Sequence, residues 1–182
     1  MKRRSLPATT DEDGLSFESE SVVFKVYSDG SGMTGGPAGI GFVAYADGEL
    51  LLKGNRAVAS ATNHQAELRA AVFALDSIPE GQDVQLLSDS KYLIDGYNTY
   101  LPKWRERGWP DSGVGSVVNS ALWKQLIVAA ERHRDVRFRW TKGHNGTEGN
   151  EHAHQLATQA RRVAEGVEWL DVVPAEEPPT LP

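Results

Sequence analysis

Three carboxylates in this chain stand where chemistry can gather. Asp29 closes the β-branched and aromatic run Ser21-Val-Val-Phe-Lys-Val-Tyr-Ser and is followed by Gly30-Ser31-Gly32. Asp89 closes the run that starts at Asp83 and is followed by Ser-Lys-Tyr. Glu67 lies in the first turn or two of a helical pattern, on the same side as Asn63. In an open α/β sheet, ligands collect at the carboxyl ends of neighbouring strands. Adjacent first and fourth strands would bring Asp29 and Asp89 to one edge, with Glu67 on a helix crossing it. Three converging carboxylates repel one another unless hard divalent ions with oxygen ligands relieve the conflict. Two such ions about 4 Å apart suit in-line displacement at phosphorus. Taken singly, each acid reads as a solvated side chain. Convergence is what gives them chemistry.

The elements that must position these acids follow from periodicity. Ser21–Asp29 reads as a strand with a glycine-rich turn after it. Gly39–Ala46 and Glu49–Val58 flank Asp47-Gly48, the strongest short-range hairpin signal. Thr62–Ile78 has apolar residues at helical spacing and ends at Pro79-Glu80-Gly81. Asp83–Ser88 is a short buried-type strand, and a helix is expected over Ser90–Tyr97. A helix over Val117–His133, a strand over Val136–Trp140 and a helix over Asn150–Ala164 complete the order. Strands separated by helices pair in parallel through right-handed crossovers. The expected fold is therefore α/β, a mixed five-stranded sheet of three antiparallel and then parallel strands, flanked by helices.

Five stretches, in this order and spacing, resemble type 1 ribonuclease H. They are Val26-Tyr-Ser-Asp29-Gly-Ser, Ala61-Thr-Asn-His-Gln-Ala-Glu67-Leu, Leu87-Ser-Asp89-Ser-Lys-Tyr, Lys103-Trp-Arg-Glu-Arg-Gly-Trp109, and Lys142-Gly-His-Asn-Gly146 running on to Asn150-Glu151. Together they cover roughly residues 21–164. The resemblance implies the ribonuclease H-like fold and hydrolysis of the RNA strand of RNA/DNA hybrids with two divalent cations, leaving 5′-phosphate and 3′-hydroxyl ends. Asp29 matches the acid that bridges both metals, and Glu67 and Asp89 match the next two metal-binding acids. Thr62, Asn63, His64 and Gln65 fall where the family meets the nucleic-acid backbone and the 2′-hydroxyl, the group that distinguishes RNA from DNA. His64 and Gln65 replace the family's common Asn and Arg. Gly30, Ser31 and Gly32 would let the backbone approach the RNA strand, or form a plain glycine turn.

One departure concerns the fourth ligand. The family has Asn-Glu-x-x-Asp-x-Leu-Ala where this chain reads Asn150-Glu-His-Ala-His154-Gln-Leu-Ala157. Neutral imidazole can ligate through a ring nitrogen but brings no negative charge. Mg²⁺ prefers oxygen ligands, so His154 as a ligand implies Mg²⁺ or Mn²⁺ activity biased toward Mn²⁺. Two alternatives stay open: Glu151, one turn earlier, replaces His154, or His154 only covers a helix face. Asn150 is expected on the substrate. His144, on a glycine-bearing loop, matches the family's histidine for proton transfer or product release. Lys103, Trp104, Arg105 and Trp109 match a basic protrusion that grips the DNA strand, with cations on phosphate and rings on sugars or bases.

The 182 residues carry a formal charge of −6, which by itself argues against a nucleic-acid partner. The charge is unevenly placed. Residues 1–20 and 165–182 hold ten of the 25 acids and three of the 19 bases, leaving the centre at one positive charge. The chain therefore divides into an N-terminal tail over 1–20, a ribonuclease H domain over 21–165 and an acidic, proline-rich tail over 166–182. Absence of cysteine excludes thiolate zinc sites and thiol catalysis. No apolar run is long enough to span a membrane, and the basic start lacks a signal peptide's apolar stretch. A cytoplasmic monomer acting on RNA/DNA hybrids is expected. A hybrid-binding module impaired by His154 and a DNA-directed nuclease of the same superfamily are the alternatives.

Overall fold

The computed structural model describes residues 22–110, 116–143 and 147–166. Five strands form one sheet: β1 (Val23–Gly32), β2 (Gly36–Ala46), β3 (Glu49–Ala61), β4 (Asp83–Ser88) and β5 (Asp135–Trp140), in the order β3-β2-β1-β4-β5. The first three are antiparallel, and β4 and β5 run parallel to β1. The mixed five-stranded α/β architecture expected from periodicity is the one observed.

Helices α1 (Asn63–Ser77), α2 (Lys91–Asp95), α3 (Leu101–Glu106) and α4 (Ser120–Glu131) belong to one side of the sheet, and α5 (Glu148–Ala164) to the other. Alternation along the strands assigns the two faces. Val26, Leu86 and Phe138 join Leu68, Leu93, Trp123 and Leu126 in the main core. Tyr27, Val43 and Leu87 pack with Ala153 and Leu156 of α5. The α5 backbone lies unusually close to the sheet. A Cβ at Gly39 or Gly41 would strike α5 main-chain atoms, and the helix offers Ala153, Ala157 and Ala160 on its buried side. Asp47 and Gly48 both have positive φ, 51° and 84°, as the tight β2–β3 hairpin requires.

Two departures from the periodicity matter for the site. Gly30-Ser31-Gly32 is not a turn: β1 continues through it, paired with Ile40, Gly39 and Ala38. The turn comes three residues later, around Gly35 with φ 71°. Nor does the helix that starts at Lys91 stop at Tyr97. It passes through a π-helical turn, Gly96–Tyr100, into α3. Pro102 sits in the first turn of α3, where a missing N–H costs nothing, so this proline starts a helix segment rather than ending one.

Candidate active site

Strand register brings the first two acids together. β1 and β4 pair in parallel up to Tyr27↔Leu87, and Asp29 and Asp89 each follow two residues later at the same sheet edge. Glu67 arrives from α1, whose start is fixed by a capping box between Thr62 and Gln65. A Cβ on Gly30 would overlap the backbone of Ala66 and Glu67, so glycine there is what lets α1 settle against β1. Gly30 therefore serves the approach of α1.

Ligand atoms of Asp29, Glu67 and Asp89 all lie within 4.8 Å of one another. Asp29 and Glu67 are buried, at 5% and 4% exposure, and Asp89 is half-buried. Burial raises the Glu67 carboxyl well above its ordinary range; the charges of Asp29 and Asp89 add to this, and a hydrogen bond from the Gly30 N–H opposes it. Its Oε2 is buried with no hydrogen-bond partner among the described residues. An orphaned buried oxygen amid mutually repelling acids is the donor set of a hard divalent cation. The three acids fit such an ion.

His154 projects from α5 with Nδ1 3.1 Å from Asp29 Oδ2. It thus touches the cluster through Asp29 and lies outside the group of three mutually close acids. Glu151, one turn earlier, is half-buried. Asn150, expected on the substrate, is instead 3% exposed, with its amide nitrogen 3.5 Å from Asp89 Oδ2. Trp140 Nε1 donates to the Asp89 carbonyl oxygen at 3.2 Å, and a Cβ at Gly143 would collide with the Asp89 carboxylate. Asp89 is thus held from three sides. Asn150→Ala removes one of them, and a supporting contact of this kind is worth roughly 10–100-fold. The expected result is a fall in kcat of about that size with little change in KM, measured by steady-state cleavage.

Several of the residues expected to contact nucleic acid also have partners within the fold. Thr62 and Gln65 are occupied by the capping box, and Gln65 Nε2 also donates to Asn119 Oδ1 at 3.2 Å. Asn63 and His64 are exposed, and the His64 ring stacks on Tyr92 with centroids 4.0 Å apart. Tyr92 accepts from Asn119 and Trp123, linking α1, α2 and α4 at this corner. Local pattern assigns no role to Asn119 or to the Tyr92 ring, because their partners are 26 and more residues away. Trp104 and Trp109, expected against sugars or bases, pack on the main core, and Trp104 lies 5.3 Å from Trp123. The rings fill space between α3 and α4. Lys103 and Arg105 are exposed on α3, Arg105 paired with Glu131. Ser31 and Gly32 are half-buried at the end of β1. His144 lies outside the described residues, as do the two tails apart from Gly166.

A five-stranded sheet with antiparallel and then parallel pairing, and a buried carboxylate cluster at the edge where β1 and β4 end, define a metal-dependent hydrolase of the ribonuclease H-like class. A family profile described as RNase H matches residues 21–162. The chain is 41% identical over 137 residues to ribonuclease H of Chromohalobacter salexigens, covering 74% of this chain and 82% of that protein. It is 38% identical over 136 residues to ribonuclease H of Alcanivorax borkumensis, covering 74% and 88%. Among solved structures, LC9-RNase H1, described as a type 1 RNase H with the type 2 active-site motif, aligns with a TM-score of 0.71 at 27% identity. That alignment covers 81% of this chain and 75% of that one. The chain belongs to the type 1 ribonuclease H family. No described helix is long and apolar enough to cross a membrane.

Proposed function

We infer that this ribonuclease H is an endonuclease that cleaves the RNA strand of RNA/DNA hybrids, with Asp29, Glu67, Asp89 and His154 holding two divalent cations. The observation that carries the reading is the buried cluster of three acids within 4.8 Å, with one Glu67 oxygen unpartnered among the described residues. When bound, the cations would supply an activated water and stabilise charge on the phosphoryl oxygens. The protein's own contribution is placement. Asp29, held within β1 opposite Gly41, lies within reach of the other two acids and of His154. Glu67 is fixed by the α1 cap, and Asp89 is braced by Asn150, Trp140 and the close approach of Gly143. Asn63, His64, Lys103 and Arg105 are exposed and available to the hybrid, and His144 is assigned to proton transfer or product release.

Imidazole at the fourth position makes the set one charge less negative than four acids and adds a nitrogen donor, which favours Mn²⁺ over Mg²⁺. LC9-RNase H1 supports the idea that a type 1 fold accommodates a different active-site motif. The test is cleavage of a labelled RNA/DNA hybrid beside an all-DNA duplex, with Mg²⁺ and Mn²⁺ titrated separately. Hybrid cleavage greater with Mn²⁺, and an intact DNA duplex, are expected. His154→Asp should raise the Mg²⁺-supported rate by about tenfold, the change of roughly 1.4 kcal/mol that one restored charge can supply. An unchanged metal preference would remove His154 from the ligand set.

A further inference from the structure

Beside the acid cluster, on the β5 side, stands an aromatic ring whose N–H braces Asp89 but whose face the reaction described above does not use. Trp140 is the last residue of β5 and pairs in register with Ser88, the residue before Asp89. Its indole is tethered at one corner by the Nε1 bond to the Asp89 carbonyl oxygen, yet the residue is 48% exposed. Most other tryptophans of the described structure behave differently: Trp104 and Trp109 pack on the core, and Trp123 is fully buried within it. Lys91, in the first turn of α2, places its ammonium 5.8 Å from the centroid of the Trp140 ring. Lys91 and Trp140 are both exposed.

An exposed indole beside a charged site offers a large flat apolar face for a ligand to pack on. A tether to the backbone of a metal-binding acid fixes the ring in place, so little conformational entropy is lost when a partner packs on it. A lysine beside the ring adds a positive charge for phosphate and a weak cation–π hold on the indole. Ring plus cation is the combination that binds a nucleic-acid strand through a sugar or base face and the neighbouring phosphate. In a duplex the bases are stacked inside, which leaves the sugar as the apolar surface within reach.

We propose that Trp140 and Lys91 form a further substrate contact, in which the indole packs on a sugar of the strand being cut, next to Asp89, and the ammonium meets the adjacent phosphate. The contact rests on the hybrid-cleaving reading above and deepens it by naming where the strand leaves the acid cluster. Trp140 is a positioning residue here, since it touches substrate away from the reacting atoms.

Steady-state cleavage of a short RNA/DNA hybrid in Mn²⁺ by the full chain tests this. Trp140→Ala should raise KM about tenfold, within the range that loss of one stacking surface produces, on top of the fall in kcat that follows from losing the indole N–H brace on Asp89. Trp140→Phe keeps an aromatic face but loses the indole N–H, so it should share that fall in kcat while its KM stays within about twofold of the parent's. Lys91→Gln should reduce the slope of log(kcat/KM) against log[salt] by about one, as for one phosphate contact. An unchanged KM in Trp140→Ala overturns the proposal. So does a Trp140→Phe variant whose KM rises as far as that of Trp140→Ala, or a Trp140→Ala loss confined to kcat, because either means that the indole only braces Asp89. A parent protein that leaves the hybrid uncut overturns the functional reading itself, which separates the two failures.

Discussion

Asp29→Asn is expected to lower hybrid cleavage by roughly 10³-fold in either metal, while the folded structure persists. Removing a single charge-stabilising group from an active site commonly costs about 10²–10³-fold. Asp29 has more to lose than most such groups, because it sits between the two other acids and His154. Asparagine has the same shape, so packing against β2 and α5 is preserved and circular dichroism should be unchanged. The measurement is single-turnover cleavage with excess protein, which separates loss of chemistry from loss of binding. Retained cleavage within tenfold of the parent would show that Asp29 is not a ligand.

Glu67→Gln should also abolish cleavage, and at the same time make the metal-free protein more stable. The parent carboxylate is buried, lies beside two other acids and has an oxygen without a partner among the described residues. Such a group costs stability when ionised. Because burial and the neighbouring acids raise its folded-state pKa above the unfolded value, the folded protein holds a proton that the unfolded chain releases. The group's favourable contribution is therefore fully present below the unfolded value and is lost as pH rises through the folded one. Metal-free parent protein should lose stability from this source on going from acid toward neutral pH, whereas Glu67→Gln should not. At pH 7 the variant should melt about 2–6 °C higher in EDTA, the shift that roughly 1–2 kcal/mol produces in a chain of this size. Added Mn²⁺ should raise the parent's Tm and leave the variant's nearly unmoved. A variant that melts lower than the parent in EDTA would mean that the Glu67 carboxylate is not a repelled group.

Local residue pattern carried the acids of the site further than it carried their surroundings. Asp29 and Asp89 are legible because each closes an apolar run in the sequence, and Glu67 because helical spacing places it near the start of α1. Five motifs in register then supply the family. Gly30 and Gly32 were opaque for a physical reason. Glycine reads as a turn, and only the backbone of α1 lying against Gly30 explains a strand that runs through it. Thr62-x-x-Gln65 is itself a local capping signal, but the second use of Gln65, its bond to Asn119 54 residues on, is tertiary. The tryptophans of the basic segment illustrate the same divide. Their composition suits a nucleic-acid strand, yet the packing of Trp104 on Trp123, and of Trp109 on Trp104, is decided by how α3 and α4 meet.

The close seating of α5 has a consequence for redesign. Main chain meets main chain where Ala157 and Arg161 lie over Gly39 and Gly41, so the helix cannot slide or roll to suit a new side chain. Position 154 is a socket of fixed location whose plug can be exchanged. On the proposal that His154 is the fourth ligand, libraries confined to that single codon should retune which cation the enzyme prefers without repacking elsewhere, while any side chain introduced at 39 or 41 would unseat the socket itself.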